Sequence, residues 1–171
     1  IRGRFLATAG REVAVSELHS WSESLGYMAR VLSDEAIPSD AGVAIEYNIP
    51  QTSKRLDVLI TGYGEGGAKN AVVVELKQWQ SAFPSDKDAI VVTYLGGGLR
   101  EVVHPSYQAW SYAELMKGFN SAVYEGDIGV WPCAYLHNYQ RDGKIDSDHY
   151  GRYTTQAPLF LKGEQERERL R

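Results

Sequence analysis

Arg55-Leu-Asp-Val-Leu-Ile-Thr-Gly62, a Gly-rich connection, and then Ala71-Val-Val-Val-Glu-Leu-Lys-Gln-Trp79 form the stretch that organises the chain. It reads as two β-strands joined by a turn. The first carries Asp57 in its middle. The second is apolar on both faces, as a central strand is, and ends in Glu75-Leu76-Lys77. Three charged side chains are thus set on strands that otherwise look like sheet interior. Taking an unpaired charge out of water costs several kcal/mol, so something must compensate, and a bound divalent cation is the obvious candidate.

Upstream, Ala14, Leu18, Trp21, Leu25, Met28 and Leu32 recur at steps of four and three, which predicts an amphipathic helix with Ser16 as its N-cap. Val43, Ile45, Tyr47 and Ile49 alternate with Ala44, Glu46 and Asn48, the period of a half-buried strand. Pro50 stops that strand, Gln51 to Lys54 turn the chain, and the three strands make a meander. Downstream, Ile90 to Tyr94 reads as a short strand and Gly96 to Gly98 as a mobile tip that can close over a substrate. Pro105 suits the first turn of a helix running to Lys117, where Gly118 ends it. Val130 to His137 and Pro158 to Lys162 are further strands, with a polar loop from Asn138 to Thr155 between them. The expected architecture is α/β: a central mixed β-sheet with helices on both faces, in three αβα layers.

The 171 residues suit one domain with a substantial core, and a net charge of −4 excludes a broadly basic nucleic-acid coat, so any phosphate binding must be local. The lone Cys133 excludes an internal disulfide and a Cys-rich zinc site and fits a reducing cytoplasm. No run is long and apolar enough to span a membrane. Residues 1–163 are expected to form the domain. The charged run 164–171 is expected to be the start of a linker or helix leading to a further domain, the chain being a piece of a longer protein.

Alternation puts Val73, Glu75 and Lys77 on one face of their strand and Arg55, Asp57 and Leu59 on one face of theirs. If the two strands pair, Asp57 and Glu75 converge with Lys77 beside them. That set suits phosphodiester hydrolysis. Two carboxylates and the backbone carbonyl of Leu76 offer hard oxygen ligands to Mg²⁺ or Mn²⁺, and Lys77 can position water or steady charge on phosphorus. The bland alternative is a structural Asp57–Lys77 or Glu75–Arg55 ion pair at a strand end. His104-Pro-Ser-Tyr-Gln-Ala-Trp-Ser-Tyr112 adds Gln108 and Tyr112, one helical turn apart on one face.

Together, Asp57, Glu75-Leu76-Lys77 and Gln108-x-x-x-Tyr112 resemble the PD-(D/E)XK nuclease superfamily, in its RecB-like branch with a QxxxY motif. Ser16-Glu-Leu-His-Ser-Trp21, Ala41-Gly-Val-Ala-Ile-Glu-Tyr47, Ile49 to Asp57, Val74 to Trp79 and His104 to Tyr112 are similar, in that order, to the nuclease-like N-terminal domain of bacterial proteins that continue into a Schlafen-like P-loop helicase domain. The resemblance implies a restriction-endonuclease-like core and a Mg²⁺-dependent nuclease, acting on DNA in preference to RNA, linked to a helicase and serving defence or DNA processing. It implies Asp57 and Glu75 as metal ligands, Lys77 as catalytic lysine, and Gln108 and Tyr112 as the supporting pair. A first-helix acid, Glu17, completes the metal site, with Glu46 the competing choice. Leu56 stands where the superfamily pattern has Pro. The alternatives are a nuclease-fold module that binds nucleic acid or a protein without cutting, and an RNase.

Lys54, Arg55, Lys87 and Arg100, with His104, form the local basic surface expected to meet a nucleic-acid backbone. Neither Gly-rich stretch contains G-x-x-x-x-G-K-[ST], so no nucleotide loop is read here. His137-Asn138-Tyr139 matches only a fragment of an HNH nuclease motif. Cys133 and His137 are expected in the core or a pocket, and Trp79 and Trp110 to pack between helix and sheet rather than stack on bases.

Overall fold

The computed structural model describes residues 15–170, with side chains from residue 22 onward apart from that of residue 65. It is an α/β structure: a five-strand mixed sheet packed against helices, plus a small antiparallel sheet. Helix α1 (Val15–Leu32) leads into the meander β1 (Gly42–Asn48), β2 (Arg55–Tyr63) and β3 (Lys69–Leu76). Then come β4 (Ala82–Pro84), β5 (Ile90–Leu95) and β6 (Gly98–Val103), followed by α2 (Pro105–Phe119) and α3 (Ser121–Gly126). Strand β7 (Gly129–Tyr135), α4 (Gly151–Gln156), β8 (Leu159–Phe160) and α5 (Glu164–Leu170) complete the order. The large sheet runs β1-β2-β3-β7-β8, antiparallel through the meander and parallel from β3 onward.

The apolar-on-both-faces reading of β3 holds, because β3 is central and each face meets a helix. Met28 and Val31 of α1 pack on Val58, Val74 and Cys133. Ala113 and Met116 of α2 pack on Leu59, Val73 and Val130. Each fully buried side chain of this size contributes about 1.5–3 kcal/mol, so either helix is held mainly by its apolar stripe. Ser16, expected as the cap of α1, falls inside the helix.

Pro132 stands within β7, opposite Val73. It is tolerated because Ala134 donates its N–H to Pro158 O on the β8 side, whereas β8 does not extend back to Pro132. No N–H is needed there.

Three expectations are corrected. Gly96 to Gly98 is not a loose tip: Leu95 pairs with Gly98, and Gly96 and Gly97 form the two-residue turn of a β5–β6 hairpin at φ +59° and +86°. Both central residues of such a turn need positive φ, which glycine adopts without a Cβ clash. The loop expected at Asn138 to Thr155 contains α4, anchored by buried Tyr150 and Tyr153. Gly118 lies within α2, and Asn120 caps its end with an N–H to Met116 O.

The alternation expected in β1 also changes phase. Val43 and Ile45 are 46% and 50% exposed, while Ala44 and Tyr47 both pack in the α2-side cluster. The break is at Glu46, a non-glycine residue at φ +56°. That conformation is sterically costly, and it turns the following side chains to the other face.

Candidate functional site

The site begins where the β2–β3 ladder opens. Val58↔Val74 is the last pair of that ladder at this end. Continuing the register puts Asp57 opposite Glu75, and directly opposed residues of antiparallel strands share a face. Instead of extending the ladder, the Asp57 carboxylate takes over the free backbone donor: Leu76 N–H donates to Asp57 Oδ2 at 2.8 Å. A strand residue's N–H and C=O point the same way, so the Leu76 carbonyl also faces the Asp57 side. On its other edge β3 continues into β7 through Lys77 N–H to Tyr135 O, 3.1 Å. The sheet thus frays on one side of β3 only, and the acids sit in the gap.

Glu75 is only 2% exposed. Its Oε1 accepts from Lys77 Nζ at 2.6 Å and from Gln108 Nε2 at 2.7 Å. Gln108 Nε2 lies 3.4 Å from the Tyr112 hydroxyl, one turn along α2. Pro105 at the first helical position and the His104 ring, whose Nδ1 accepts from Ser106 N–H at 3.2 Å, fix the start of α2 and so the depth at which Gln108 meets the sheet.

Burial pushes the Glu75 carboxyl up to about 8, and the adjacent Asp57 pushes the same way against the lowering effect of Lys77. Burial alone would lower the Lys77 ammonium, but Glu75 and then Asp57 together hold it above its ordinary value. Burial, then Glu75, raises Tyr112. Glu75 is therefore held toward its neutral form beside a lysine that stays charged. A divalent cation between hard oxygens would relieve the same repulsion that the proton relieves. Asp57, Glu75 and the Leu76 carbonyl are chemically suited to hold one. Among the described residues no group of three His, Cys, Asp or Glu converges for that purpose.

The two candidates for a further acid fare differently. Glu17 lies on α1, but its side chain is outside the described residues. Glu46 lies across from Asp57 in the β1–β2 register and forms an ion pair with Arg55. Its carboxylate, and the Arg55 guanidinium, therefore have a structural engagement of their own. In place of the Asp57–Lys77 or Glu75–Arg55 pair of the bland alternative, the structure shows Glu46–Arg55 and Glu75–Lys77 pairs.

His104 is corrected outright as a nucleic-acid contact. It is 0% exposed, stacks on Tyr150 at 4.4 Å, and has Nε2 at 2.8 Å from Ile145 O. Burial depresses it to about 4, so it is a neutral structural cap. Lys54 and Arg100 are exposed, and Lys87 pairs with Glu101 at 2.6 Å. Trp79 is buried and Trp110 packs against the same cluster, as expected of interior residues. Cys133 is buried. His137 is buried too, stacked on Tyr27 and 3.0 Å from Ser24 Oγ. Sequence reasoning missed the opening of the ladder itself; its one signal was a charged residue on each of two neighbouring apolar strands. No helix among the described residues is long and apolar enough to cross a membrane. None of the protein-family models, curated proteins or solved structures compared with this chain matches it.

Proposed function

We propose that the chain is a metal-dependent nuclease domain of PD-(D/E)XK type, with a three-layer restriction-endonuclease-like core, hydrolysing phosphodiester bonds in DNA rather than RNA. The observation that carries this is the meeting of Asp57, Glu75, Lys77 and Gln108 at the open end of the β2–β3 ladder. A structural ion pair needs one acid and one base. Here a second acid stands beside the first, at the cost of a raised carboxyl, which is unfavourable unless a cation or a proton enters.

Asp57, Glu75 and the Leu76 carbonyl would hold Mg²⁺ or Mn²⁺, with Glu17 of α1 as a further ligand. The bound metal would neutralise the phosphate and supply an activated water. Gln108 and Lys77 both donate to Glu75 Oε1, and the Asp57 carboxylate lies close enough to Glu75 to raise it. Lys77, kept charged, donates to the anionic phosphate oxygens rather than taking a proton. Tyr112 keeps Gln108 in place and stays protonated. Lys54 and Arg100 are the exposed cations suited to guide the strand by its backbone. A helicase-like partner domain and a cytoplasmic setting belong to this proposal.

A second reading, a module that binds nucleic acid or a protein without cutting, draws on the finding that only two carboxylates converge among the described residues. Cleavage assays on labelled single- and double-stranded DNA and RNA, with Mg²⁺, Mn²⁺ or EDTA, separate the two. Metal-dependent cleavage abolished by Glu75→Ala and Lys77→Ala supports the nuclease, and binding without cleavage under every metal condition refutes it.

A further inference from the structure

The segment Tyr135-Leu136-His137, where β7 ends, touches both sides of the candidate site. Tyr135 O accepts from Lys77 N–H at 3.1 Å, and Leu136 N–H donates to Phe160 O at 2.8 Å. His137, next along, leaves the sheet and meets α1. Its Nε2 lies 3.0 Å from Ser24 Oγ, and its ring stacks on Tyr27 with centroids 4.2 Å apart. Ser24 and His137 are 7% and 1% exposed. Burial holds the imidazole below its ordinary value, so the bond joins neutral groups.

A buried polar pair adds little net stability over two apolar side chains of the same shape. What it adds is register. Apolar contact is non-directional, so the stripe of Met28 and Val31 on Val58, Val74 and Cys133 tolerates a helix shifted along its axis. A hydrogen bond between one atom of α1 and one at the end of β7 does not tolerate that shift.

The register matters because of where α1 leads. Met28 and Val31 pack at Val74 and Cys133, which pair two residues before Leu76 and Tyr135 in the β3–β7 ladder. Ser24 meets His137, two residues beyond Tyr135. Toward its N-terminus, α1 therefore runs past the end of the sheet at which Asp57 and Glu75 meet. Glu17 stands two helical turns before Ser24, on the same stripe and about 10 Å further along the axis.

We propose that His137, through Ser24, is a positioning residue: it fixes the height of α1 over the sheet and thereby brings Glu17 to the cation held by Asp57 and Glu75. This rests on the metal reading of the site, with Glu17 as its further ligand.

The test is Mn²⁺ titration of the full chain, with free Mn²⁺ read by electron paramagnetic resonance and thermal unfolding in EDTA measured in parallel. In Ser24→Ala/His137→Phe both polar partners go and a ring on Tyr27 stays, so the thermal midpoint is expected to match or exceed that of the wild type. Mn²⁺ affinity is nonetheless expected to fall by about tenfold or more, the usual cost of losing a group that orients a ligand. Ser24→Ala alone, which takes a partner from buried His137, is expected to weaken Mn²⁺ similarly at a lowered midpoint. Glu17→Gln is expected to weaken Mn²⁺ by a like factor in the wild type and to add nothing in the double variant, because the two changes remove one interaction. Wild-type Mn²⁺ affinity in both Ser24 variants overturns the positioning role and leaves the metal reading standing. A Glu17→Gln effect that adds in full to that of the double variant, or no effect of Glu17→Gln on the wild type, has the same consequence. Failure of the wild type itself to bind Mn²⁺ at millimolar concentration removes the metal reading, and the positioning role with it.

Discussion

Glu75→Gln is expected to stabilise the metal-free protein at alkaline pH and, under the proposed metal reading, to lose the response to Mg²⁺. The native carboxyl holds its proton up to about pH 8, against an ordinary value of 4.5. Between those limits the unfolded chain releases the proton and the native protein keeps it, so the native state binds more protons and stability falls as pH rises. The Glu75 contribution is therefore fully present below about pH 4.5 and lost as pH climbs through about 8. At about 1.4 kcal/mol per pH unit, that interval amounts to at most about 5 kcal/mol. Glutamine reproduces the protonated side chain. Its Oε1 can accept from Lys77 and Gln108 as the carboxyl does, and its NH₂ can donate toward Asp57. The assay is urea unfolding of both proteins in EDTA from pH 5 to pH 9, read as variant minus wild type, which cancels the histidines. That difference is expected to rise from near zero at pH 5 to a few kcal/mol in favour of the Glu75→Gln variant at pH 9. In thermal unfolding it corresponds to about 2–4 °C of midpoint per kcal/mol for a chain of this size. Under the proposed metal reading, saturating Mg²⁺ then raises the wild type alone. A difference that stays flat with pH would show that Glu75 is ionised in the metal-free protein and that the acid pair is not frustrated.

Other perturbations probe separate parts of the molecule. His104→Ala removes the α2 cap, the Ile145 contact and the Tyr150 stack together, so a loss of about 2–4 kcal/mol by denaturant titration is expected. Because burial depresses His104 to about 4 from 6.5, its contribution is present above pH 6.5 and lost as pH falls toward 4; the variant's acid limb is expected to be shallower. Lys77→Ala is expected to cut the proposed hydrolysis by about a hundredfold or more, measured as kcat, since it removes a charge-assisted donor from the transition state. Cys133 is buried with its thiol pushed up to about 12, so labelling by a thiol-reactive disulfide at pH 8 is expected only as fast as the protein opens, with one equivalent released on unfolding.

Elements with a single strong period were legible in the sequence. Helix α1 carries its apolar residues at helical steps, and β3 is apolar on both faces because both faces are covered. The β5–β6 hairpin was half read. Ile90 to Tyr94 has β-branched residues in succession, but Leu99-Arg-Glu-Val-Val shows no alternation, since that strand has a solvent face and an open edge. Helix α4 was hidden because its anchors, Tyr150 and Tyr153, sit among polar residues, and short helices take their stability from packing rather than propensity.

The site shows the same division more sharply. The charges themselves were legible, because Asp57 and Glu75 interrupt apolar strands. Their partners were not, because pairing depends on where backbone donors are left over. Asp57 faces Leu76 N–H only because the ladder ends at Val58↔Val74. Beside it, Glu46 takes a positive φ and engages Arg55, so the two opposed residues Glu46 and Asp57 mark the point where both strands leave regular geometry. A strand residue forced into that conformation costs of order 1–3 kcal/mol and persists only when its surroundings over-determine it. Here they do: Tyr47↔Leu56 continues the pairing beyond the break, and both side chains are packed in the α2-side cluster. The strain is thus held between two well-packed stretches of β1 and β2, and it opens the sheet edge where Asp57 and Glu75 meet. A substitution that relaxed it, Glu46→Gly, would keep the positive φ at lower cost but release Arg55. Its effect on Asp57 would separate the two contributions: an unchanged Glu75 titration would show that backbone shape alone builds the acid pair, and a shifted one that the Glu46–Arg55 charge pair shares in it.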